Sequence, residues 1–260
     1  MIPTQFAAAP SWWWITLAGV LGLAVGSFWT VVVWRWPRGE SVVAPRSHCT
    51  GCNRTLDARE LVPLVSWLWQ RGTCHGCGGR IHWRYPVIEA STALLAATAI
   101  ARFGPTLTGL AAALLGMVIV PVVAIDLEYQ LIPDVIVLPA AAIGLLLGIV
   151  AHPGHWWVPV IAAVGAGGFL FVLWVMFPAG MGLGDAKFAL LLGGVLGLSV
   201  IPAMGIAFGA GAVLGIAMIV RHGPAARKMA VPFGPFLAAG AVVGLLWGPA
   251  MVHWYTTGLS

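Results

Sequence analysis

Between residues 12 and 250 the chain passes through eight apolar stretches, none holding more than two charged residues. That succession limits the fold more than anything else in the sequence, because water leaves so much apolar surface no place to go. A stretch of about 20 residues, coiled as a helix, spans roughly the 30 Å of hydrocarbon in a bilayer. The chain is 60% hydrophobic and only 8% charged, with a mean hydropathy of +0.95. A membrane β-barrel would instead show short alternating segments with polar interior positions. The reading is an all-α polytopic membrane protein of about eight transmembrane helices.

The spans are placed at 12–34, 86–102, 106–125, 133–151, 157–177, 186–198, 201–220 and 232–250. Ser199 and Pro202 divide the long apolar run after Lys187. The first stretch lacks a basic start and an A-x-A-like site, so it is expected to be retained as a helix. Eight of the thirteen Lys and Arg residues lie between Arg35 and Arg84. If that stretch is cytoplasmic, Lys187 and the loop carrying Arg221, Arg227 and Lys228 are too, and only Arg102 lies outside. This asymmetry predicts periplasmic N- and C-termini. The division expected is a first segment 1–36, a cytoplasmic insert 37–85 and a membrane bundle 86–260.

The insert holds all four cysteines, in HCTGC (48–52) and CHGC (74–77), with 21 residues between Cys52 and Cys74. Two C-x-x-C knuckles supply the four thiolates of a tetrahedral Zn²⁺ site. Disulfides are disfavoured on the cytoplasmic side. His48 and His75 sit beside the ligands, but Cys49, Cys52, Cys74 and Cys77 already complete a closed, structural shell. Metal would supply folding energy that so small an insert cannot draw from a core of its own.

The eight acids divide by position. Glu40, Asp57 and Glu60 read as solvated residues of the insert, and Glu89 as a partner for Arg84. Asp126, Glu128, Asp134 and Asp185 all fall at the cytoplasmic ends of spans. Asp134 starts a helix, where the dipole favours a carboxylate. Glu128 reads as solvated. Asp126 closes a span, where helix carbonyls repel negative charge, so a chemical role is expected. Asp185 precedes the next span, among Gly180, Gly182 and Gly184. N-capping competes there, but bare glycines beside a carboxylate suit the approach of another chain. Lys187 is either a snorkelling residue or a local charge partner. Two carboxylates meeting at one site can share a proton, which is the chemistry of aspartyl peptide hydrolysis. Asp126 and Asp185 are the expected pair.

Six segments in order resemble one family, the bacterial type IV prepilin peptidases among the GxGD intramembrane aspartyl proteases. They are GSFWTVVVWRWP (26–37), CTGC with PLVSWLWQRGTCHGC (63–77), RYPVIE (84–89), IDLEYQLIPD (125–134), MGLGDAKFALLLGG (181–194) and VPFGPFLAAGA (231–241). The sequence departs from the family's usual pattern at Thr30 and Leu61, where asparagine is common, and in a first knuckle lacking its usual proline. The resemblance implies an enzyme of the bacterial inner membrane that removes basic leaders from prepilins or type II secretion pseudopilins at the cytoplasmic face. Asp126 and Asp185 match the catalytic aspartates. It also implies S-adenosylmethionine-dependent N-methylation of the new terminus, an activity associated with the cysteine loop. A peptidase without methylation is the narrower alternative. A zinc-knuckle scaffold would need neither aspartate, and a transporter would carry its acids near the midplane. The lipid bilayer and the protein substrate are the expected partners, with no nucleic acid.

Overall fold

The computed structural model describes residues 11–178, 180–223 and 231–258. Arg227 and Lys228, used in the charge argument, lie outside the described residues. Secondary structure here is helical, apart from two isolated antiparallel bridges in the insert. The chain forms two compact units that divide between Pro105 and Thr106.

The first unit contains α1 (Ser11–Arg35), the insert with its five-residue α2 (Val65–Trp69), and α3 (Arg84–Phe103). Helices α1 and α3 pack backbone to backbone. A Cβ on Gly22 would come 2.7 Å from the Cα of Ala93, and one on Gly26 would come 2.8 Å from the Cα of Glu89. Small residues permit such contact where lipid, being as apolar as the helices, provides no hydrophobic drive. The chain leaving α1 is tied down by buried Arg35, which donates to the carbonyls of Ser41 and Pro45 at 3.1 and 2.8 Å. Residues 86–103, expected to join the membrane bundle, thus belong with α1 and the insert.

The second unit contains α4 (Leu107–Tyr129), α5 (Asp134–Ala151), α6 (Trp157–Met176), α7 (Leu183–Leu196), α8 (Val200–His222) and α9 (Gly234–Thr257). Seven helical stretches among the described residues are long and apolar enough to cross a bilayer, and the sixth, Leu183–His222, runs for 40 residues. It does not continue straight. Gly197 adopts φ +55° and opens a 3-10 turn over Gly197–Ser199. The end of α7 lies against the beginning of α6, with Gly193 on Ala162 and Gly197 beside Val158. The beginning of α8 lies against the far part of α9, with Ser199 beside Gly248, while Gly211 further along meets Phe233 and Phe236. Helix α8 therefore runs back antiparallel to α9, and the long stretch is two helices, as its serine and proline suggested.

Two boundaries matter for chemistry. Helix α4 runs to Tyr129, so Asp126 lies inside its last turn rather than at its end. Helix α7 starts at Leu183, so Asp185 is its third residue rather than a residue before it.

Candidate active site and metal centre

Asp126 is 5% exposed and Asp185 6%. Each carboxylate is fixed by one backbone N–H. Gly234 donates to Asp126 Oδ2 at 2.9 Å, and Gly182 donates to Asp185 Oδ2 at 3.1 Å. Asp185 returns the second bond through its own N–H to the Gly182 carbonyl, at 3.1 Å. It therefore performs the capping that competed with a chemical role, reaching back from the first turn of α7.

Asp126 is placed against the repulsion of its own helix end, and α9 explains how. Gly234 is the first residue of α9, so the orphan N–H groups and positive dipole end of that helix face the Asp126 carboxylate. The requirement for glycine is steric, since a Cβ at position 234 would stand 2.6 Å from Asp126 Oδ2. Sequence reasoning missed Gly234, although it lies in the quoted segment 231–241. A proline-flanked glycine opening an apolar run was the available signal.

Helix α7 packs on both α4 and α9, with Gly184 at its start against Ile132 just beyond α4 and Gly234 at the start of α9 bound to Asp126. The start of α7, the end of α4 and the start of α9 thus meet at one end of the unit. Asp134, first residue of α5, joins them there through Lys187, whose ammonium lies 2.6 Å from Asp134 Oδ2. Lys187 is a charge partner, and its partner is Asp134 rather than Asp185. The pair bridges α5 and α7 across a partly exposed surface, so Lys187→Met is expected to lower stability by under about 1 kcal/mol in thermal unfolding.

The glycines of GLGD separate by role. Gly182 is exposed and contributes its N–H to the site. Gly184, expected to keep backbone open, instead packs inward, where a Cβ would stand 2.7 Å from that of Ile132. Glu128 is exposed in the last turn of α4.

In the insert the four cysteine Sγ atoms all lie within 4.8 Å of one another, with Cys49 and Cys77 at 3.8 Å and no disulfide among them. Tetrahedral thiolates about 2.3 Å from Zn²⁺ would stand about 3.8 Å apart. The knuckles fold alike. Gly51 and Gly76 donate to the sulfurs of Cys49 and Cys74, both at 3.4 Å. Asn53 and Gly78 take left-handed φ and return their N–H groups to the carbonyls of those same cysteines. Amide donation from Cys77 and Gly76 shifts the Cys74 thiol downward, toward the thiolate a metal needs. Behind the first knuckle, Arg54 donates to Glu60 and, with the Asp57 N–H, holds that carboxyl below its usual range. Glu60 is thus an ion-pair partner rather than a freely solvated residue.

Glu89 does not pair with Arg84. It is 8% exposed and accepts from the Leu64 N–H at 2.8 Å and from the Ser27 hydroxyl.

Residues 20–103 match the bacterial peptidase A24 N-terminal domain, and residues 112–220 match the type IV leader peptidase family. Three relatives are each described as a prepilin leader peptidase/N-methyltransferase. That of Aeromonas hydrophila is 35% identical, covering 97% of this chain and 97% of its own. That of Bacillus subtilis is 33% identical over 93% and 97%, and that of Pseudomonas putida 36% over 94% and 94%. No solved structure is matched. With two family domains in order and relatives matched almost end to end, this chain belongs to the type IV leader peptidase family.

Proposed function

We propose that the protein removes the leader from prepilins or pseudopilins by an aspartate dyad, Asp126 and Asp185, and then N-methylates the new terminus. The observation that carries the reading is the meeting of two buried carboxylates at one end of a helical bundle. Each is held by a single backbone N–H, and each has its Oδ1 without a hydrogen-bond partner among the described residues. One carboxylate in its ionised form takes a proton from water, while its protonated partner donates to the scissile carbonyl. Gly182 and Gly234 keep the acids in place through this exchange. Gly182 also leaves its backbone open beside Asp185 for an extended substrate.

The protein is read as a multi-pass enzyme of the bacterial inner membrane. The charge distribution supports a dyad at the cytoplasmic face and periplasmic termini. A substrate with a basic leader and an apolar helix would then present its junction where water and the acids meet. The four cysteines fit Zn²⁺ by donor type and spacing, in a closed shell with a structural role. S-adenosylmethionine, when bound, supplies an electrophilic methyl group. The acceptor amine must reach it as the free base, gaining a methyl and giving up a proton.

Co-expression with a prepilin tests the whole reading. The mature product is expected to lack its leader and to carry one methyl group on its terminal nitrogen by mass analysis. An unprocessed product removes the peptidase, and a cleaved but unmethylated one removes the second activity.

Gly234→Ala tests the construction of the site. Its methyl group would displace the Asp126 carboxylate, and an error of about 1 Å in a reacting group lowers rate on the order of a hundredfold. Cleavage kinetics should show kcat falling with KM nearly unchanged. Unaltered kcat would mean that the contact with Gly234 does not matter.

A further inference from the structure

Above α1 and α3 the first unit forms a half-open cavity of about 450 Å³, within the size range of sites for cofactor-sized ligands. Its floor follows from helical periodicity. Ser27, Thr30, Val31 and Trp34 form one face of α1, and Tyr85 and Glu89 lie one turn apart on α3. The insert supplies the roof, reaching as far as Cys49 and Cys74.

Glu89 is the chemically unusual part of this lining. It sits where α3 crosses α1, more than nine-tenths buried, and its partners among the described residues are the Leu64 N–H and the Ser27 hydroxyl. No Lys, Arg or His is paired with it among the described residues. Arg35 spends its guanidinium on Ser41 and Pro45, Arg54 spends its own on Glu60, and Arg84 lies over the Trp34 ring. A buried carboxylate without a counter-ion either takes up a proton or is stabilised by something cationic beside it, and a cationic ligand in this cavity would supply the second. The backbone supports this carboxylate at a cost of its own. Leu64 takes φ +60°, rare for a side chain of that kind, and in that conformation directs its N–H to Glu89.

The other walls suit a flat, polar molecule. Trp67 lines the space with its ring held by donation from Nε1 to the Ile81 carbonyl at 3.3 Å and by Gly72, which has φ +67° and packs on the ring. Aromatic faces attract cations as well as planar rings. A ligand carrying a positive charge, an aromatic base and a carboxylate therefore fits, since Arg80 and Arg84 line the same cavity as Glu89 and Trp67.

We propose that this cavity is the methyl-donor site, taking S-adenosylmethionine with Glu89 as the counter-charge to its cationic groups. The assignment rests on the methyltransferase half of the reading above. It places the donor in the first unit, beneath the metal centre, and accounts for a carboxylate that the dyad chemistry does not use.

Equilibrium binding of methyl-labelled S-adenosylmethionine to the full chain in detergent or nanodiscs tests this without turnover. Two variants are compared with wild type. Glu89→Gln keeps the shape and removes the charge, and Ser66→Trp adds bulk to a lining residue. Size-exclusion profiles and thermal unfolding report whether each is folded, so one variant suffices if the other is not. Saturable binding by wild type is expected, with Kd raised about tenfold or more in the variants through loss of a charge-assisted contact or of space. Wild-type affinity in every folded variant would overturn the cavity assignment and leave the methyltransferase reading standing. A wild-type protein that cleaves leaders yet binds no donor would overturn both.

Discussion

Asp126→Asn and Asp185→Asn are each expected to reduce leader cleavage by about a thousandfold or more, since a carboxylate that transfers protons is worth roughly 10²–10⁴ in rate. Asparagine keeps the oxygen that accepts from Gly234 in one case and from Gly182 in the other, so both variants should remain folded. What each loses is the ability to exchange a proton with its neighbour. The double variant should be no slower than either single one, because two groups that act as a unit do not contribute additively. Asp134→Asn supplies the contrast. It shares an end of the bundle with the dyad but pairs with Lys187, so its effect on rate should be small. Time courses of prepilin cleavage by purified protein decide the matter. Near wild-type rates from either dyad variant would remove that aspartate from the chemistry, and multiplicative losses in the double variant would separate the two acids into independent roles.

Removing the metal should produce the largest structural effect. Structural zinc in small domains contributes an apparent 10–16 kcal/mol, about as much as or more than the whole net stability of a typical domain. The insert has little else to hold it, with one five-residue helix, short 3-10 turns and two isolated bridges. Purified protein is expected to contain one zinc per chain. Chelation, or Cys74→Ser at the one buried ligand, should make residues 48–80 protease-sensitive. Helical content by circular dichroism should change little, because the helices of the second unit pack on one another. Donor binding should weaken too, since Cys49 and Cys74 line the cavity proposed to hold it. A metal-free protein with a protease-resistant insert would overturn the four-thiolate site.

The ordering of apolar runs, the basic stretch and the C-x-x-C pairs were legible because each is a local pattern with one economical physical outcome. Burying 20 apolar residues in lipid requires a helix whatever its neighbours are. Two knuckles rich in glycine need only close on each other to bring four sulfurs together. The two suspect acids stood out for a related reason. Few acids survive in such a sequence, and Asp126 stood where a helix end should repel it. Less visible were partnerships set by packing over long separations. Lys187 reaches Asp134 across 53 residues, and no spacing rule distinguishes that contact from one to Asp185 or from snorkelling. Gly184 read as open backbone until Ile132 was found against it.

The sequence by itself determined a helical membrane protein with a thiolate-rich insert, and identified the acids worth suspecting, because hydrophobicity, charge and ligand chemistry belong to residues individually. Only the tertiary structure decided that the N-terminus of α9 steadies Asp126 from 108 residues away, and that Leu64 turns its backbone onto Glu89 across 25. Those bonds are made by main-chain N–H groups, which every residue but proline carries. Their targets are chosen by where whole helices come to lie.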